Sequence, residues 1–362
     1  MMKRLRLLLA AILALSSWIS CIDPEREEGD VTIRFTTGGL QHTKSVADSV
    51  ADGRHLYADN NGVPDLIILI AAGDGSIVKR YDGAYPLRSQ GVLESETLTD
   101  TEAAVSFNFS GDTAGVYRVY AFGNTRGLWS MTTDGENTIS ADDLSNASVI
   151  SSADQLEALA FRPLALNTDP TRQNGRLPLS AKGTLEVKSN KNGDAHLELL
   201  RCVSKVTARI INNTGAAMEL YNYNHKVYGI CPDRGYVLPH DPDAPGGTNT
   251  GYLEADPCTK YGNPDFYVPI SSEGSQDYDW YVFPSTGPYT IDVTFTLFKG
   301  EENEHTYTYN GLAVTNWKAE NIPALRRNQH LIVETRISKG LTVSFNFIVA
   351  DWVQREESVQ FD

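Results

Sequence analysis

Short apolar runs that alternate or cluster over four to ten residues recur along almost the whole chain, separated by Asn, Asp and Gly. They lie at 31–37, 66–71, 77–81, 104–109, 116–122, 185–187, 195–200, 203–211 and 227–230, and again at 278–283, 289–298, 305–309, 330–337 and 341–349. A period of two puts alternate side chains on opposite faces of an extended chain, so such runs bury their apolar face by pairing as strands. Clusters such as Gly73-Asp74-Gly75 and Lys191-Asn192-Gly193-Asp194 are turn formers. A short helix is expected only around 153–159. The pattern predicts an all-β chain of antiparallel sandwiches with short helices in its loops. The Gly-, Asp-, Asn- and Pro-rich stretches 125–146, 166–178 and 232–264 are expected as surface loops. A chain of 362 residues is long for one core, which predicts two domains, 31–200 and 201–362, with the boundary near Leu200.

The first thirty residues follow different rules. Lys3, Arg4 and Arg6 precede an apolar run from Leu7 to Leu15, and Ser16, Ser17 and Ser20 lead to Cys21. This is the layout of a secretory signal peptide, and the run is too short to span a bilayer. A Cys directly after the cleavage region is what bacterial lipoprotein processing acylates. Residues 1–20 are therefore expected to be removed, with Cys21 lipid-modified and 21–30 forming an acidic tether. Several acyl chains on one Cys would hold the protein firmly at an outer membrane.

Charge narrows the partners. Three of the 31 basic residues and none of the 46 acidic ones lie in 1–20, so removing that segment moves the formal charge from −15 to −18. A field of this sign repels nucleic acid, which is excluded as a partner. Besides Cys21 the chain holds Cys202, Cys231 and Cys258. Three thiols allow one intrachain bridge at most, Cys231–Cys258 being compatible with the spacing; Cys202 lies in an apolar run and reads as a buried hydrophobe.

Catalytic signatures are missing: there is no Gly-x-Ser-x-Gly, no His-Glu-x-x-His, no phosphate-binding glycine loop and no Cys-x-x-Cys. The expectation is a non-enzyme without cofactor or resident metal. Asp59, Asn61 and Asp65 flank a Gly turn at the spacing of a calcium loop, but a single such repeat supplies few carboxylates, and a plain Asn-Gly turn entering a strand is the preferred reading. Asp48-Ser-Val50 and Asp112-Thr-Ala114 resemble O-glycosylation sequons. Trp129, Trp280, Trp317 and Trp352 are open to two readings, sugar-stacking platforms or core residues.

Five motifs in order resemble one family. Tyr117–Asn124 (YRVYAFGN) resembles a "Y-x-(V/L)-Y-A-x-x-N" strand, and Leu177–Gly183 (LPLSAKG) a "P-(M/L)-(S/T)" segment. Leu199–Val206 (LLRCVSKV) resembles "L-x-R-x-V-A-K-(I/V)", with Ser204 in place of Ala. Ile322–His330 (IPALRRNQH) resembles "I-x-R-N-x-x-(Y/H)", and Val349–Trp352 a closing "V-x-x-W". These are the marks of Bacteroidetes fimbrillins.

The resemblance implies two transthyretin-like sandwich domains and a part in a type V pilus at the cell surface. Such subunits travel as lipoproteins; a protease cuts after an Arg, the first strand leaves, and a strand from a neighbour fills the groove. Heterologous contacts of that kind propagate into a filament. On this chain Val31, Ile33 and Phe35 mark the candidate displaced strand. Arg54, in a Gly-containing polar stretch, is the candidate cleavage site, with Arg34 its rival. Val343, Phe345, Phe347 and Val349 mark a candidate donor strand that reads equally as the last core strand; Val359 and Phe361 in the tail are a second candidate. Three functions compete: a structural or adhesive fimbrial subunit, an uncleaved lipid-anchored fimbrial anchor, and a surface glycan-binding lipoprotein. The expected partners are other fimbrial subunits, the outer membrane through the lipid, and ligands on host or bacterial surfaces.

Overall fold

The computed structural model describes residues 29–37, 65–96, 102–124, 130–133, 137–161, 177–240, 249–256, 266–316 and 318–351. Among them the chain is almost wholly β. The first ten strands are β1 (Asp30–Thr37), β2 (Leu66–Ala71), β3 (Ile77–Asp82), β4 (Val92–Glu96), β5 (Glu102–Asn108), β6 (Gly115–Gly123), β7 (Met131–Thr132), β8 (Ala160–Phe161), β9 (Leu179–Val187) and β10 (Gly193–Arg201). Eight of these form one sheet, in the order β3-β2-β6-β9-β10-β1-β5-β4. β9 and β10 pair only at Leu200–Ser180 and Arg201–Leu179. Either side of that short seam the sheet divides into two leaves whose apolar faces meet. Val31, Ile33, Phe35 and Val105 from one leaf and Ile68, Val119 and Leu185 from the other share one buried cluster.

β2 explains why its sequence is a continuous apolar run. All six of its residues are buried, because Leu66, Ile68 and Ile70 face that first core while Ile67, Leu69 and Ala71 face a second. A strand buried on both faces loses its alternation. The second core is closed by stretches expected as surface loops. Met131, Ile139 and Leu144 pack there, as do Val237 and Leu238. Their apolar residues are isolated in polar sequence and follow no period, so burial there leaves no pattern. One turn of helix, α1 (Ala153–Glu157), adds Leu156 to this core. Its Ser152–Gln155 capping box satisfies the helix start: Ser152 N donates to Gln155 Oε1 at 3.1 Å.

The remaining strands are β11 (Ser204–Asn213), β12 (Met218–Pro232), β13 (Gly235–Tyr236), β14 (Asn249–Ala255), β15 (Tyr267–Ile270), β16 (Ser275–Val282), β17 (Ser285–Thr286), β18 (Thr290–Leu297), β19 (His305–Ala313), β20 (Ala324–Leu325), β21 (Gln329–Ser338) and β22 (Val343–Asp351). Two sheets, β16-β11-β21-β22 and β14-β12-β18-β19 with β15 also on β12, enclose a third core that includes Val206, Tyr223, Val227, Phe295 and Val333. β14 lies inside a stretch expected as loop.

The sequence pattern predicts antiparallel sheets, and the structure corrects this at two pairs. β1 runs parallel to β10 and β11 parallel to β21. Strands far apart in sequence are free of the hairpin constraint that forces antiparallel pairing.

Candidate assembly site

β1 lies inside its leaf, hydrogen-bonded on both edges. On one side Val31 to Thr37 run parallel to Gly193–Leu199 of β10. On the other, Asp30 to Thr36 run antiparallel to Asn108–Glu102 of β5. Val31, Ile33 and Phe35 are at most 1% exposed. Burying three such side chains stabilises by about 6 kcal/mol at about 2 kcal/mol each. On the outer face Thr32 Oγ1 is 2.9 Å from Ser106 Oγ, and Thr36 Oγ1 is 3.2 Å from His196 Nε2. The strand's entry is fixed too: Gly29 N donates to Asn192 Oδ1 at 3.0 Å, and Gly29 O accepts from Phe109 N at 2.8 Å. Gly29 has φ +108, and a Cβ there would meet Ser110 at 3.0 Å, so only glycine fits.

Arg34 is exposed, but its backbone is paired to His196 and Ala104. A protease needs extended, accessible backbone, which a doubly paired strand does not offer. The rival, Arg54, lies outside the described residues, as do Cys21, Asp59, Asn61, Cys258, Val359 and Phe361. Asp65 is described. It is buried at the start of β2, and its carbonyl accepts from Asn124 N at 3.1 Å. Asp112 turns the chain between β5 and β6, where its carboxylate pairs with Lys79 at 2.6 Å. Cys202 and Cys231 carry free thiols. Burial pushes the Cys231 thiol up to about 11. Trp280 packs half-buried against the third core.

β22 takes the edge of its sheet and pairs residue for residue with β21, from Val343–Ile337 to Asp351–Gln329. Val343, Phe345, Phe347 and Val349 are half-buried and pack on the third core. Phe345 meets Tyr309 of β19 edge-to-face, with ring centroids 4.9 Å apart. The alternating face thus serves as a last core strand, and the far edge of β22 has no partner strand among the described residues.

Three of the sequence motifs converge where sequence reasoning placed no site. Arg201 Nη1 donates to Asn328 Oδ1 at 2.6 Å, and Asn328 N donates to Val203 O at 2.9 Å. Ser204 Oγ donates to Arg326 O at 2.6 Å. Arg327 donates to Ser180 Oγ at 3.0 Å and to the carbonyls of Leu238 at 2.8 Å and Tyr236 at 3.3 Å. Burial lowers the Arg327 pKa; burial likewise raises that of the Cys202 thiol against it. These residues tie β9 and β10 to β11 and β21. Their chemistry is that of a structural knot, because Arg201 Nη1, Ser204 Oγ, Asn328 N and the Arg327 guanidinium all donate to acceptors within the chain.

No group of three or more His, Cys, Asp or Glu among the described residues is placed to hold a metal, and no described helix is long and apolar enough to cross a membrane.

Neither a family model nor a curated protein matches the sequence. Solved structures do match. A candidate cell adhesion protein from Bacteroides eggerthii is 12% identical, with 90% of this chain and 96% of that one covered and a TM-score of 0.51. A fimbrilin from Porphyromonas gingivalis is 12% identical over 89% and 98%, with a TM-score of 0.47. A fimbrial assembly protein from Parabacteroides distasonis is 11% identical over 89% and 97%, with a TM-score of 0.45. The structural neighbours of this chain are thus fimbrial and adhesion proteins of the Bacteroidetes. At this identity the first of them establishes a shared fold.

Proposed function

We propose that the protein is a structural or adhesive fimbrial subunit, exported as a lipoprotein acylated at Cys21 and assembled at the cell surface by strand exchange. Its strands form two transthyretin-like sandwiches meeting near Leu200. The observation that carries the reading is the place of β1. A strand with its apolar face in the core and partners on both edges leaves, when removed, two unpaired edges flanking an apolar slot. Such a slot accepts a replacement strand through the same main-chain bonds and the same alternate pockets. Cleavage after Arg54 severs β1 from the rest of the chain and makes it removable. The incoming strand comes from a second subunit, supplied by 343–349 or by the tail that carries Val359 and Phe361.

The test is Arg54→Ala in the full chain, read by mass spectrometry of the mature N-terminus and by a ladder on mild-detergent gels. The expected result is an acylated Cys21 start and no ladder in the variant, against a His55 start and a ladder in the wild type. A ladder that persists in the variant overturns the processing site. A wild type that keeps acylated Cys21 and forms no ladder makes the protein an anchor.

A further inference from the structure

The exposed face of β12 carries aromatic side chains in a pattern that assembly does not use. Tyr221 is paired in register with Tyr267 of β15, and Tyr228 with Tyr252 of β14. The first pair has ring centroids 5.5 Å apart and the second 5.3 Å, each tilted. Tyr252 is 45% exposed and Tyr267 40%. Tyr221 and Tyr228 are seven positions apart on β12, about 23 Å of chain at about 3.3 Å per residue. The strip between them is polar: Asn224 donates to Glu254 at 2.8 Å, Lys226 pairs with the same carboxylate at 3.2 Å, and Tyr228 donates to Asp292 at 2.9 Å.

At the Tyr221 end the face opens into a cleft of about 520 Å³ lined by Tyr221, Glu219, Phe298, Lys299 and Glu301, among others. This lies within the range of small-ligand sites. Two backbone irregularities shape it. β12 bulges between Tyr221 and Asn224, and Asn222 and Phe298 both adopt left-handed φ, 50° and 58°. A bulge re-aims side chains, and strained non-glycine residues gather at functional sites. Tyr221 Oη donates to Glu219 at 2.6 Å, which fixes the ring, and Lys299 Nζ lies over one face of it, 5.6 Å from the centroid, where a bound sugar would displace it.

We propose that this face binds a neutral oligosaccharide, with one pyranose in the cleft on Tyr221, a second on the neighbouring Tyr267, and the chain running toward Tyr228 and Tyr252. The apolar C–H face of a pyranose packs on an aromatic ring, while its hydroxyls need acceptors and donors at the ring's edge. Glu219 and Glu301 line the cleft as acceptors, and Lys299, once moved off the ring, is the donor. Carboxylates outnumber amines here and the whole chain is acidic, at −15, so a uronic or sialic acid chain is repelled. The proposal does not depend on the assembly reading, since the face lies on β12 and its neighbours rather than on β1.

Calorimetric titration of the full chain with maltotetraose, cellotetraose, mannotetraose, chitotetraose and, as the anionic control, tetragalacturonate tests it. At least one neutral tetrasaccharide binds and tetragalacturonate does not. Tyr221→Ala weakens binding by about tenfold, the loss of one stacking contact; Tyr267→Ser weakens it independently should the first variant fold poorly. Tyr85→Ala, at an exposed tyrosine elsewhere, leaves it unchanged. Absence of binding to every neutral tetrasaccharide overturns the proposal. So does unaltered binding in a folded Tyr221→Ala or Tyr267→Ser protein.

Discussion

The Arg327 guanidinium reaches Ser180 on β9 and the carbonyls of Tyr236 and Leu238 in one span. Arg327→Met keeps most of the side-chain bulk but strands those acceptors in the interior. At about 1–3 kcal/mol for each buried group left unsatisfied, it lowers stability by about 3 kcal/mol, read as a shift in the urea unfolding midpoint. Two histidines set the acid side of stability. Burial holds His225 down to about 4, with Nδ1 facing Tyr223 Oη at 3.1 Å. Burial, reinforced by Lys205, does the same to His330, also about 4, although Asp279 acts in the opposite direction. A folded pKa below the unfolded value of about 6.5 means the unfolded chain binds more protons between those limits. Stability is therefore full above pH 6.5, falls as the pH drops toward 4, and levels off below that. His225 alone accounts for about 2 kcal/mol between pH 7 and pH 5. His225→Gln removes that part of the slope in denaturant titrations at the two pH values.

At the scale of elements, β1 and β2 were legible because Val31, Ile33 and Phe35 keep one phase of burial and β2 is buried throughout, and β6 and β21 because their central residues are buried on both faces and read as apolar runs. β12 was legible only at 227–230. Its inward residues are Leu220, then Tyr223, His225 and Val227, then Ile230; the parity changes twice. The changes fall at the register shifts after Tyr221 and after Tyr228. A bulge adds one residue to a strand and reverses which side chains point inward, so no fixed period fits its fifteen residues. Gly229 serves the second shift, with φ +78 and Pro288 O only 2.7 Å from where a Cβ would stand. Gly229→Ala lowers stability by about 2 kcal/mol and, in thermal melts, moves the midpoint down by several degrees.

For the molecule as a whole, the candidate site was half legible. Val31, Ile33 and Phe35 announce a strand by alternation, but which strands flank it is set by a chain path that local pattern does not encode. The knot around Arg327 was hidden for a related reason: a sequence contains many arginines, and only the fold brings Ser180 and the 236–238 carbonyls to this one. Those motifs therefore carry the architecture and not the chemistry of binding. If β1 is the exchanged element, a synthetic peptide of residues 30–37 added in excess during processing fills the slot and shortens the ladder on mild-detergent gels. The same peptide with Ile33→Asp leaves the ladder unchanged, because a carboxylate cannot enter that apolar pocket without several kcal/mol of desolvation.

The parallel pairing of β1 with β10 joins residues very distant along the chain; Gly29 and Asn192 are 163 positions apart. Contacts of such long range form slowly, since the closing of so large a loop must precede any gain from pairing. The earliest strand of the described residues is thus one that waits for its neighbour. In that interval the chain presents an incomplete sheet, and if a foreign strand competes for the gap, timing and local concentration decide the outcome as much as affinity.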